Sequence, residues 1–142
     1  MPEINVLMKF ATDNVFLIAV AFVSGAMLIW PAVRRGTAGP AISVQQATLM
    51  INREDALVLD VREAQEFAKE HILHARNLPL SRIEAGAADL QKHRAKPVIV
   101  YCENGSRSGK AASLLRKLGF ERVFSLAGGL AAWQQAALPV EK

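Results

Sequence analysis

The stretch from Val15 to Val33 constrains this chain more than any other. Its 19 residues contain no charged side chain. As a helix they reach about 28 Å, close to the roughly 30 Å hydrocarbon core of a bilayer. A helix buried in a water-soluble core would carry polar residues along one face, and none occur here. Trp30 stands near one end, where an indole suits the membrane interface, and Pro31 is expected to end the regular helix. The flanks give the expected orientation. Glu3, Lys9 and Asp13 sum to minus one before the segment, and Arg34-Arg35 follow it. The positive-inside bias then leaves the amino terminus outside and the remainder on the cytoplasmic side of the inner membrane, as a single-pass protein. A cleaved signal peptide would start with a basic region, and this chain starts acidic.

The rest of the 142 residues leaves room for about one domain. Gly36 to Pro40 reads as a flexible linker. The expected organisation is an amino-terminal segment over 1–35 with its membrane helix at about 15–33, a linker over 36–42, and a domain over 43–142. From Ala41 onward there are 14 Lys/Arg and 11 Asp/Glu, a net of plus three. The basic residues are scattered, with no run interleaved with aromatics, so nucleic acid is not an expected partner. One cysteine excludes an intrachain disulfide and a paired-cysteine zinc site. His71, His74 and His93 lack a supporting ligand pattern, so neither metal nor cofactor is expected.

Helices and strands alternate along the domain. Ser43 is placed to cap a helix over Val44–Asn52, with Leu49 and Met50 inward. Ala56 to Val61 is a continuous apolar strand of the kind buried on both faces of a parallel sheet. Glu63–Glu70 is a short acidic helix with Phe67 on its inner side. Ala75–Leu78 is extended before Pro79, and Gly86–Gln91 is a further helix with Leu90 inward. Val98–Tyr101 and Val123–Leu126 are apolar strands. Gly128-Gly129 turns the latter into a last helix whose Trp133 faces the core. This alternation predicts an α/β domain with a mainly parallel sheet, whose site lies beyond the carboxyl ends of the strands.

Asp60 and Cys102 both stand at such ends. After Cys102, the loop Glu103-Asn104-Gly105-Ser106-Arg107 runs into a helix over Lys110–Leu118, with Gly119 at the stop position. Such a loop can turn backbone N–H groups inward, and the helix start adds unpaired N–H groups and a positive dipole end. An anion at the centre is held well, and a thiolate at the rim is stabilised as a nucleophile. Arg107 adds a fixed charge and a planar donor fork.

With these residues in view, the domain resembles a single-domain rhodanese. The resemblance rests on Leu59-Asp60-Val61-Arg62-Glu63 with Glu66-Phe67, on Glu70-His71-Ile72, and on Ala75-Arg76-Asn77-Leu78-Pro79. It continues in Val100 to Ser108 and in Gly128-Gly129-Leu130-Ala131-Ala132-Trp133. These stretches fall in order and cover nearly all of Ser43–Trp133. With its amino-terminal anchor, the chain is similar to membrane-bound bacterial rhodanese-like proteins. The resemblance implies a central, mainly parallel sheet of five strands flanked by helices. It implies a sulfurtransferase that holds sulfane sulfur as a persulfide on Cys102 and passes it to a nucleophilic acceptor. Glu103, Asn104, Gly105, Ser106 and Arg107 would then bind the substrate sulfur, and Asp60 and Arg62 would support the site. The donor would be thiosulfate or a persulfide, and the acceptor a small-molecule or protein thiol. The alternative is a rhodanese-fold docking module that assists a membrane partner with little or no catalysis.

Four residues separate Cys102 from Arg107. Phosphatases and arsenate reductases of similar fold use five, so the shorter loop favours one sulfur atom over a tetrahedral oxyanion. The chain also departs from the family. Glu70 stands where a glycine is usual, and Leu73-His74 where a Pro-Gly pair is usual. The turn after His71 is therefore expected to be built differently, because His74 lacks a glycine's freedom at positive φ. His71 and His74 are read as turn-stabilising rather than as acid–base groups. Glu103 beside the thiol would disfavour a thiolate and repel thiosulfate unless it points away, which hints at a neutral or protein persulfide donor. Lys110 is read as a solvated helix lysine.

Overall fold

The computed structural model describes residues 2–38 and 40–142, and the side chains of all of these except 34–38. The chain divides into two compact units, Met1–Gly36 and Thr37–Lys142.

In the first unit, helix α1 (Pro2–Asp13) precedes helix α2 (Val15–Ala38). The mixed opening residues are thus helical. Backbone bonds from Asn14 to Phe10 and from Ile18 to Asn14 carry the ladder across the junction. Val15–Val33 is long and apolar enough to cross a membrane, and none of it is buried within the protein. The helix does not stop at Pro31 but contains it and runs on to Ala38. Proline's fixed φ is itself helical, and the cost inside a helix is a missing hydrogen bond and a strained turn rather than obligatory termination. The side chains of Arg34 and Arg35, on which the expected orientation rests, lie outside the described residues.

Within the stretch read as a linker, 36–42, part is regular structure. Residues up to Ala38 are helical, Gly39 lies outside the described residues, and Ala41–Ile42 form strand β1. Two residues are too short for a hydrophobic pattern to reveal a strand; pairing with the sheet makes it one.

The second unit is a five-stranded sheet with helices on both faces. Helix α3 (Val44–Glu54) follows β1. Next come strand β2 (Leu57–Asp60), helix α4 (Ala64–Lys69), and two short strands, β3 (His71–Ile72) and β4 (Arg76–Asn77). Helix α5 (Ile83–Gly86), a 3-10 segment over Ala87–His93, strand β5 (Val98–Tyr101) and helix α6 (Ser108–Lys117) come after them. Strand β6 (Val123–Leu126), helix α7 (Gly129–Gln135) and strand β7 (Val140–Glu141) complete the chain. The sheet order is β1-β6-β5-β2-β4, and every pairing is parallel. β3 and β7 form a separate antiparallel pair.

Alternation along the central strands sorts the core into two layers, because successive side chains point to opposite faces. Leu57, Leu59 and Val61 of the β2 region join Val98, Val100 and Cys102 on the face that packs against Ile83, Leu90, Ala111 and Leu115. Val58, Ile99 and Tyr101 face the other layer, with Ile42, Ala47, Leu126, Leu130 and Trp133. Trp133 is buried, and its indole N–H donates to the carbonyl of Pro139.

Ser43 caps α3 and exchanges hydrogen bonds with Gln46, closing a capping box. Leu49 is not inward: it is 49% exposed. Ala47, Met50 and Ile51 set the inner stripe, and 100° per residue carries Leu49 to the far side of the helix. The helix expected over Gly86–Gln91 begins earlier, at Ile83, and continues as a tighter 3-10 segment with Leu90 buried.

Candidate active site

Cys102 follows β5 directly and is fully buried. Strand β5 is central in the sheet and apolar on both faces, so its carboxyl end is fixed from both sides. The following loop curls back over the sulfur. The N–H of Gly105 lies 3.1 Å from Cys102 Sγ and that of Arg107 lies 3.3 Å away, both donating to it. Gly105 has φ 96°, a left-handed conformation open to glycine, and this aims its amide inward. Asn104 Oδ1 accepts from the N–H of Ser106 and closes the outer side of the turn. The Ser108 hydroxyl donates to the Gly105 carbonyl at 3.2 Å and shares a 2.8 Å hydrogen bond with the Ser125 hydroxyl beneath it.

Helix α7 fastens the loop from the other side. The N–H groups of Leu130 and Ala131, otherwise unpaired at a helix start, donate to the carbonyls of Cys102 and Glu103 at 2.8 and 3.1 Å. Gly129 makes this approach possible. Its φ is 59°, and a β-carbon there would collide with the Cys102 carbonyl oxygen and the Glu103 carbonyl.

Arg107 contributes its backbone to the sulfur but directs its side chain elsewhere. Its Nη1 and Nη2 donate to Glu66 of α4 at 3.0 and 3.1 Å, a fork-to-fork pair. Hydrogen bonds from Arg107 hold the Glu66 carboxyl well below the usual carboxylate range, at about 2. The same pair raises the pKa of Arg107.

Asp60 and Arg62 form the buried base of the mouth. Arg62 Nε donates to both carboxylate oxygens of Asp60 at 3.1 Å, and Nη2 donates to Oδ2 at 2.8 Å and to the Glu70 carbonyl at 2.6 Å. Arg62 Nη1 then reaches Glu103 Oε2 at 3.0 Å. Burial opposes the charge on Arg62, but the hydrogen bonds and charge of Asp60 overcome it and raise its pKa. Burial, followed by the Asp60 carboxylate, pushes the Tyr101 hydroxyl well above its usual range. The Asn77 amide donates to the carbonyls of Asp60 and Arg62 and fixes the backbone between them. Glu103 therefore bonds to Arg62 rather than to the thiol, with its side chain half exposed.

The turn after His71 corrects an expectation. His74 does adopt positive φ, 64°, without being glycine. Its N–H donates to Glu141 Oε1 at 3.0 Å, and the β3–β7 pairing brings that carboxylate there. The His71 ring stacks on Phe67 with centroids 3.7 Å apart, and its nitrogens lie within hydrogen-bond reach of the Phe67 carbonyl and Glu141. His71 thus braces the turn through its ring, and His74 through its backbone N–H. Lys110 is exposed on α6.

Beside the cradle lies a cleft of about 290 Å³. Arg62, Glu66, Lys69, Glu70 and Glu103 supply its charges, and Leu130 and Gln134 complete its wall. Glu66 and Gly129 were not singled out as site residues from the sequence. Both lie in motifs that carry the resemblance, but their partners are about 41 and 27 positions distant in the chain, so local spacing gives no hint of the contact.

Comparison with known proteins agrees with this geometry. The family model for the rhodanese-like domain matches residues 43–136. The uncharacterized protein slr1261 of Synechocystis sp. is 42% identical over 103 residues, which is 71% of this chain and 56% of that protein. The chain thus spans little more than half the length of that relative. A protein of Allochromatium vinosum named sulfurtransferase is 35% identical over 91 residues, covering 64% of this chain and 83% of that one. The solution structure of the rhodanese-like domain of an Anabaena sp. protein superposes with a TM-score of 0.65 at 27% identity, covering 72% of this chain and 79% of that chain. By its sheet order, its cysteine cradle and these matches, the chain belongs to the rhodanese-like family.

Proposed function

We propose that this protein is a membrane-anchored sulfurtransferase that carries sulfane sulfur on Cys102. The observation that carries the reading is the pair of N–H groups, from Gly105 and Arg107, directed at the buried Cys102 sulfur. Backbone donors that are already oriented stabilise an anionic sulfur without reorganising. With only the four residues Glu103 to Ser106 between Cys102 and Arg107, the loop is short, which favours one added sulfur atom over a tetrahedral oxyanion. In the first half-reaction, the Cys102 thiolate attacks the sulfane sulfur of a donor R–S–SH. The donor S–S bond breaks, RS⁻ departs, and Cys102 holds S–SH. With thiosulfate the departing group is sulfite. In the second half-reaction a nucleophile takes the outer sulfur and the Cys102 thiolate returns. As the only cysteine, Cys102 has no internal thiol to resolve it, so the acceptor is a separate molecule, a small thiol or a protein thiol. Asp60 and Arg62 position the loop through Glu103 and do not touch the sulfur.

The apolar helix over Val15–Val33 supports an anchor in the cytoplasmic membrane, and the charges of Arg34-Arg35 in the sequence after it support a domain on the cytoplasmic side. Retention in the membrane pellet after alkaline extraction, with the domain digested by protease only in inverted vesicles, is the expected outcome.

The chemistry is tested by intact-mass measurement of the full chain in detergent after exposure to thiosulfate or a small persulfide. The wild type should gain one sulfur atom, lose it to cyanide as thiocyanate, and the Cys102→Ser variant should gain none. A folded protein that takes up sulfur from neither donor overturns the reading and leaves a docking module.

A further inference from the structure

Both guanidinium groups near Cys102 are already neutralised within the chain. Arg107 is gripped by Glu66, and Arg62 by Asp60 and Glu103. Arg62 is buried, with Nε and both terminal nitrogens engaged, so it does not turn toward a ligand without breaking several bonds at once. The adjacent cleft presents two cations, Arg62 and Lys69, against the three carboxylates of Glu66, Glu70 and Glu103, a formal charge of minus one. Asp60 and Arg107, just behind these groups, cancel and leave that balance unchanged. One carboxylate of the three, Glu70, also accepts a hydrogen bond from Gln134 and is held on the cleft wall.

A thiosulfate dianion has two parts with different needs. Its sulfane sulfur fits the N–H cradle, but its sulfonate must lie outside, where no uncommitted guanidinium awaits it and Glu103 and Glu66 repel it. A persulfide on a neutral or cationic carrier meets no such opposition, and basic groups beside the persulfide gain from the same carboxylates. Resting on the sulfur-transfer reading, we infer that Glu103 and Glu66 are specificity-determining residues that direct the site toward persulfides on neutral or basic carriers, and against thiosulfate and acidic persulfides. The chemistry at sulfur is the same for every persulfide: the Cys102 thiolate takes the outer sulfur and RS⁻ leaves. Only the charge of R differs.

The test uses that identity. The full chain in detergent is loaded with cysteamine persulfide, which is cationic, with 3-mercaptopropionate persulfide, which is anionic, and with thiosulfate. Rates of sulfur gain on Cys102 are compared at low ionic strength. The wild type should load from the cationic persulfide about tenfold faster than from the anionic one, and this ratio should shrink as salt is added. Glu103→Gln and Glu66→Gln should each lower the ratio several-fold and raise loading from thiosulfate. Lys69→Gln should move the ratio in the opposite direction. A merely structural role for Glu103 would slow all three donors together and leave the ratio in place. A wild-type ratio near one, or one that none of the variants changes, overturns the inference while leaving sulfur transfer intact. Failure of every donor to load Cys102 overturns the sulfur-transfer reading itself, and this inference with it.

Discussion

Replacing Gly129 by alanine should damage the cradle from a position that never touches the sulfur. The residue sits at φ 59°, and its added β-carbon would be driven into the carbonyls of Cys102 and Glu103. Left-handed backbone costs a non-glycine residue about 1–2 kcal/mol. To relieve the collision, α7 must back away and release the Leu130–Cys102 and Ala131–Glu103 hydrogen bonds, at about 1 kcal/mol each. The sum is about 3–4 kcal/mol, and a domain of this size should lose on the order of 15 °C in Tm. Gly128→Ala is the matched control. It shares the positive φ, at 75°, but the nearest atoms to its β-carbon belong to Ala132, whose side chain lies at 2.7 Å. That variant should lose about 2–3 kcal/mol, from the left-handed backbone and a small shift of Ala132, and should leave Cys102 alkylation unchanged because neither cradle carbonyl is displaced. Thermal unfolding of the full chain in detergent, followed by near-ultraviolet circular dichroism, gives both shifts. Thiol alkylation of Cys102 reports the loop at the same time. Equal shifts for the two variants, or a Gly129→Ala shift under about 4 °C, would refute the view that close backbone approach holds the loop.

Three other changes probe different parts of the unit. Glu66 titrates at about 2 in the folded chain against an ordinary 4.5, so its contribution to stability is complete above about pH 4.5 and is lost as pH falls toward 2. Glu66→Gln should flatten the stability-against-pH curve in that window, and a carbon-13 titration of the wild-type carboxyl should show the low midpoint; an unaltered acid slope contradicts the Arg107 pairing. Arg62→Met should cost about 3–5 kcal/mol by chemical denaturation, because it strands the fully buried Asp60 carboxylate without its partner. In that background Asp60→Asn should recover part of the loss. Trp133→Ala should cost about 3–5 kcal/mol, since the indole is buried between α7 and the sheet and its N–H is bonded to Pro139; a loss below 1 kcal/mol would show that this layer relaxes around the void.

Much of the architecture is legible in the sequence. Doubly buried strands read as apolar runs because both their faces meet core, and β2, β5 and β6 lie where those runs stand. The apolar segment after Asn14 was equally plain, because its composition must suit a single environment along its whole length. Of the two-residue strands, β4 lies within the stretch read as extended, but β1, β3 and β7 are not legible, being strands only through the partners they pair with. Leu49 was misplaced because a helix's inner face depends on where it docks, and a polar-rich helix with apolar residues on several sides leaves that phase open.

The same division runs through the site. Sequence alone determined that one cysteine stands where an apolar strand meets a glycine-bearing loop and a helix start, since those local propensities depend on neighbours in the chain. Only the tertiary structure decided which groups surround it. Glu103 reads as an obstacle to the thiol unless it points away; the fold gives it Arg62 as a partner and turns it aside. Arg107 reads as a fixed charge and a donor fork at the cradle; the fold pairs that fork with Glu66 and directs the backbone N–H to the sulfur. His74 lacks a glycine's freedom at positive φ; a carboxylate 67 residues away binds its N–H and supports it there. Charge pairs and hydrogen bonds act over a few ångströms of space, and the sequence fixes chain distance rather than that separation.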